Sequence, residues 1–173
     1  MFETLGNGLV LWVFPALMIY AGMTDLLDRR IANWVSLALI GTFFILALVT
    51  WMPFTQLGAH LGVALAAFAI GFLMFAMGWM GGGDVKLITA AMLWFGPTAA
   101  LGYALTFSLT GLVVTAVFAA LRLDRLQYAL ASNAMTRPLA GRDPSGRDIP
   151  YGLAISGGAL LALPALAGVH GAL

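Results

Sequence analysis

Eight basic and seven acidic side chains are spread so unevenly along these 173 residues that they leave four uncharged stretches, at 4–24, 31–83, 87–121 and 149–173. The stretches run for 21, 53, 35 and 25 residues. A membrane-spanning helix needs about 20 mostly apolar residues, so these runs supply about five or six spans and leave little chain for an extramembrane domain. The composition agrees: 62% of residues are hydrophobic and 9% charged, against about 25% charged in a soluble domain. The expected fold is a single all-α, polytopic membrane bundle over residues 1–173. The absence of cysteine excludes a disulfide framework, a Cys-ligated zinc site and a thiol nucleophile. The net charge of +1 selects no class of partner.

Helix boundaries follow from local punctuation. The first apolar run, Leu9 to Met23, is flanked by Met1 to Gly8, which carries Glu3 and no Lys or Arg. It therefore lacks the basic flank of a secretory signal and reads as a retained helix over 8–27. A second helix is expected over 34–51, with Trp34 and Trp51 as interface anchors, and a third over 57–79. Residues 85–121 are too long for one span, and Gly96-Pro97 is the expected break, giving helices at 85–95 and 98–121. Residues 122–150 form a polar loop rich in Arg and Asp, and a sixth helix over 151–169 follows.

Six spans with the N-terminus outside place Arg29, Arg30, Lys86, Arg122, Arg125, Arg137, Arg142 and Arg147 on one side. Cytoplasmic loops attract Lys and Arg, so that side is expected to be cytoplasmic. An unbroken 85–121 helix would set the late arginines opposite Arg29 and Arg30. Gly58 with Gly62, Gly71 with Gly78, and Gly157-Gly158 are expected to let helices approach closely. His60 and His170 fall near the outer ends of the third and sixth helices, where interfacial placement is expected. No cluster has metal-ligand spacing, so no metal site is expected.

The carboxylates are more informative. Glu3, Asp124, Asp143 and Asp148 belong to solvated ends or the polar loop. Asp25 and Asp28 close the first helix and Asp84 opens the fourth, all toward the expected cytoplasmic face. Ionisable groups within spans cost about 2.5–3.5 kcal/mol at the bilayer centre and usually mark function. A helix from Phe95 back to Val85 covers only about 16 Å of a core about 30 Å thick, which sets Asp84 below the surface. The preceding Gly81-Gly82-Gly83 then reaches a depth where irregular backbone survives only inside protein or beside a wet cavity. Asp84 is equally a good N-cap after a glycine loop, Asp25 can pair with Arg29 one turn on, and Asp28 is the most exposed of the three. Two carboxylates from different helices at one wet pocket can activate water against a peptide bond, one ionised as base and the other protonated as acid.

Gly81-Gly82-Gly83-Asp84 resembles the G-x-G-D signature of membrane aspartyl proteases, and with Val85-Lys86-Leu87 it is similar to the form found in type IV prepilin leader peptidases. Asp25-Leu26-Leu27-Asp28-Arg29-Arg30-Ile31-Ala32-Asn33 resembles that family's first Asp motif, an Asp followed by a basic pair and Ile-Pro-Asn, with Ala32 in place of the proline. Ile149-Pro150-Tyr151-Gly152 is similar to the stretch that opens the family's last helix. The resemblance implies that Asp25 and Asp84 are the catalytic pair, with Gly81, Gly83 and Lys86 supporting the active-site loop. It also implies cleavage of a type IV or Flp-type prepilin leader at the cytoplasmic face of the bacterial inner membrane. The larger bifunctional members carry a cytoplasmic domain with Cys-x-x-Cys pairs and also N-methylate the product. This chain has neither a long loop after the first helix nor a cysteine, so it resembles the peptidase-only kind of tight-adherence pilus systems. Expected partners are the prepilin leader and the lipid bilayer, with no nucleic acid and no cofactor; oligomeric state is left open.

Helix ends suggest roles. Asp84 begins a helix, where the positive dipole end favours a carboxylate, and Asp25 nears a helix C-terminus, where the protonated form is favoured. That makes Asp84 the expected base and Asp25 the expected initial acid, titrating as a unit. Lys86 can also snorkel to the interface. The competing class is an ion-coupled transporter or assembly subunit that binds ions through Asp25 and Asp84. Its sign would be an internal repeat with paired broken helices, whereas only one glycine-broken carboxylate helix is visible.

Overall fold

The computed structural model describes residues 12–121 and 149–170, and every regular element within them is helical. In order these are α1 (Phe14–Asp28), α2 (Asn33–Val49), α3 (Phe54–Ala76), α4 (Gly82–Leu121), α5 (Tyr151–Leu161) and α6 (Leu163–His170). The start of the first expected helix and residues 122–148 of the polar loop lie outside the described residues, as does the side chain of His170.

Proline and positive-φ residues set the joints. α1 carries Pro15 in its first turn, where the missing N–H has no intrahelical carbonyl to serve. Pro53 caps the start of α3 and stops α2 from continuing into it. The expected break in α4 is present: Gly96 has φ 58° and ψ −170°, followed by Pro97. Residues 82–95 lead away from the end of the bundle that holds Arg29, and residues 98–121 return to it, since the Arg29 guanidinium lies 5.3 Å from the centre of the Phe118 ring.

This break explains His60, and corrects its expected place. Pro97 cannot donate the i→i−4 hydrogen bond that the Leu93 carbonyl would receive in a continuous helix. His60 Nδ1 lies 2.8 Å from that carbonyl oxygen, so the ring must donate from this nitrogen. Far from resting at an interface, His60 is 1% exposed, and its ring fills the space where a side chain on Gly96 would stand.

The first limb of α4 is the centre of the bundle, with Val85, Leu87, Ile88 and Ala90 through Phe95 all buried. Trp94 Nε1 donates to the Leu39 carbonyl at 2.8 Å. Its ring meets Phe14 at 5.1 Å and Phe43 at 6.0 Å, while Phe95 stacks on Tyr103 at 4.4 Å. The outer surface is also apolar: Leu37, Leu48, Leu65, Ile70, Leu101, Leu109 and Leu112 are all exposed. Helices that are apolar on every side belong inside a protein or a membrane. Phe54–Ala76 and Gly82–Ala120 are long and apolar enough to cross a bilayer.

α5 is locked onto the second limb of α4. Thr106 Oγ1 donates to the Gly158 carbonyl at 2.9 Å and Thr110 Oγ1 to the Ala154 carbonyl at 2.7 Å. A Cβ on Gly158 would run into the Phe107 main chain, so the expected close approach at this glycine is realised. Gly71 likewise meets Val85. Among the described residues, Gly58, Gly62 and Gly78 have no neighbour within 4 Å of a Cβ position, which corrects their expected packing role; Gly78 instead makes a turn with φ 72°. The sixth expected helix, 151–169, is also corrected. It is interrupted at Ala162 (φ −84°, ψ −2°), because Pro164 has no N–H for the Leu160 carbonyl.

Candidate active site

α1 ends, α2 begins, α4 begins and α5 begins around one end of the bundle, and there the first carboxylate is fixed. Asp25 lies one turn before the end of α1 and is 7% exposed. Its Oδ2 accepts the Gly152 N–H at 2.7 Å across 127 residues of sequence. Gly152 stands in the first turn of α5, after Pro150, and first-turn amides have no intrahelical acceptor. The bond therefore takes up a donor that the helix leaves open. A Cβ on Gly152 would lie 2.9 Å from both Cβ and Cγ of Asp25 and 2.8 Å from Ile31 Cδ1, so no larger residue fits without displacing them.

Asp84 is held differently. α4 starts at Gly82 rather than at Val85 as expected, which places Asp84 within the first helical turn. Its Oδ2 reaches back three residues to accept the Gly81 N–H at 3.3 Å, the backward half of a capping box. Asp84 is therefore not the N-cap expected of it, but its side chain still serves the helix start and also lines a cavity. That cavity, of about 360 Å³, is lined by Asp25, Arg29, Arg30, Ile31, Asn33, Gly81, Gly82, Gly83 and Asp84.

Ile31 joins the two sides. It is partly buried and touches the cavity. Its Cβ lies 3.3 Å from a Cβ position on Gly83 and its Cδ1 2.8 Å from one on Gly152. The side chain thus wedges between the starts of α4 and α5. Arg29 adopts a left-handed conformation, φ 56°, at a cost of about 1–2 kcal/mol for a non-glycine residue. The turn carries the chain from Asp25 toward Ile31, and stacking on Phe118 offsets part of that cost.

Of the residues singled out from sequence, Asp25, Asp84, Gly81 and Gly83 come together at the cavity. Lys86 is not itself part of the lining, but it donates from Nζ to Oδ1 of the lining residue Asn33 at 3.0 Å on the exposed surface. Asp28 is exposed and outside the lining. Ile31, Asn33 and Gly152 were visible only as parts of the two motifs that contain them. The expected surroundings of Asp25 also need correction: beyond the negative end of its own helix, it meets the amide-bearing start of α5. Among the described residues, no group of three or more His, Asp or Glu side chains is placed to hold a metal ion.

An apolar-surfaced helical bundle that brings two carboxylates to one cavity is a layout suited to hydrolysis within a membrane. The particular kind follows from comparison with known families. The family model described as the type IV leader peptidase family matches residues 12–120, and the chain belongs to that family. Membership makes it a leader peptidase of the membrane, a hydrolase with a prepilin-type substrate. The match includes Asp25 and Asp84 and ends before α5. No curated protein and no solved structure matches the chain.

Proposed function

We propose that this protein is an aspartyl endopeptidase that removes the leader from type IV or Flp-type prepilins at the cytoplasmic face of the bacterial inner membrane, without N-methylation. The observation that carries the reading is the presence of Asp25 and Asp84, from different helices, in one cavity. The side is supported by the basic residues, since Arg29 and Arg30 line that same cavity and Lys and Arg gather at the cytoplasmic face.

The chemistry is general acid–base hydrolysis. One carboxylate takes a proton from a water whose oxygen attacks the scissile carbonyl carbon. The other carboxylic acid gives its proton to the carbonyl oxygen as the tetrahedral intermediate forms. The intermediate collapses, the C–N bond breaks, and the first residue returns its proton to the leaving amine while the hydroxyl proton goes back to the second. Water is consumed and both carboxyl groups end in their starting forms.

Co-expression with a prepilin tests this. The intact chain should shorten the prepilin, giving a product whose mass includes no added methyl group. Asp28→Asn should retain cleavage, whereas Asp25→Asn and Asp84→Asn should each slow it by about 10²–10⁴-fold. A prepilin left at full length by the intact chain sinks the proposal.

A further inference from the structure

Pairing of two carboxylates leaves open which one carries the charge, and the surroundings of Asp25 bear on that question. We propose that Gly152 is a positioning residue. Its N–H holds Oδ2 of Asp25 so that Asp25 is the ionised base of the pair, and Asp84 is thereby the acid. The inference rests on the peptidase reading and deepens it.

Three observations support it. The Gly152–Asp25 bond is short, 2.7 Å, and buried, and an amide donates more strongly to an ionised oxygen than to a neutral one. The Gly81–Asp84 bond is longer, 3.3 Å, and exposed. The steric fit is also specific, because Gly152 is enclosed by Asp25 and Ile31 so closely that the amide can approach only without a side chain. The Leu153 N–H in the same turn is a second backbone donor to the Asp25 carboxylate.

The charged groups sharing the cavity with Asp25 are Arg29 and Arg30, at the end of its own helix, and Asp84 from α4. The two arginines favour a negative charge on either carboxylate. α2 and α5 contain no charged side chain, so what α5 brings to Asp25 is its open amides. The amide start of α5 opposes the negative end of α1, and the proposal reverses the roles suggested by each carboxylate's own helix.

The test is the pH profile of kcat/KM for cleavage of a purified prepilin by the full chain in lipid vesicles. A backbone ester at position 152 deletes the N–H and adds no side chain. It should move the acidic limb to higher pH by about one to two units, because a hydrogen bond to a charged group of ordinary strength is lost, and leave the alkaline limb in place. Gly152→Ala should move the same limb and lower kcat further by displacing Asp25; if that variant does not fold, the ester decides. A shift of the alkaline limb would identify Asp25 as the acid, and no shift of either limb would remove any action of the amide on the pair. Either result overturns the proposal. Failure of the peptidase reading is separate, and would appear as full cleavage by Asp25→Asn or Asp84→Asn.

Discussion

Asp25 and Asp84 reach the same cavity by opposite means. Asp25 is buried and depends on a helix 127 residues away for its hydrogen bond, whereas Asp84 is more open and bonds to an amide three residues before it. One side of the site is therefore built by tertiary packing and the other by local chain geometry. The difference implies that the α1–α5 junction fails when packing fails, while the α3–α4 junction tolerates small changes.

The largest expected effect tests the packed side. Gly158→Ala, remote from the carboxylates, drives a methyl group into the Phe107 main chain. Overpacking of this kind costs about 1–3 kcal/mol. Thermal unfolding in detergent should register that loss, and leader cleavage should fall with it because Gly152 is carried on the same helix. Unchanged stability and cleavage would break the comparison.

A smaller effect is expected on the local side. A Cβ on Gly81 would lie 2.9 Å from Asp84 Oδ2, which is the far end of a flexible side chain and can turn away. Gly81→Ala should keep its stability and lose the equivalent of one hydrogen bond, about 1 kcal/mol or roughly fivefold in cleavage rate. A drop in rate matching that of Gly152→Ala would erase the distinction. Smallest of all should be Lys86→Met, which removes an exposed bond to Asn33 that water can replace and that touches neither carboxylate. Cleavage by this variant should stay within about fivefold of the parent, and a complete loss would return Lys86 to the site.

These contrasts also separate what was legible in the sequence from what was not. The α4 break could be read because Gly96-Pro97 is strong local punctuation and because a break there is what the expected gathering of Lys and Arg on one side asks for. Asp84 could be read because three consecutive glycines followed by an isolated carboxylate stand out in an apolar run. The Asp25–Gly152 bond could not be derived from spacing, since a backbone N–H has no residue type of its own. Its only signal was the motif opening the last helix. His60 was misplaced for a related reason: its partner is the Leu93 carbonyl released by Pro97, so its address was encoded at the break and not around the histidine. The interruption at Ala162 could have been anticipated from Pro164.

The most direct measurement of the central claim is the cleavage rate of one prepilin by Asp25→Asn, Asp84→Asn and the double variant, each shown to be folded in membranes. Groups that act as one catalytic unit are strongly non-additive. The account predicts that each single variant is nearly as slow as the double, while Asp28→Asn matches the parent. Full cleavage by either single variant, or losses that simply multiply in the double, would contradict it.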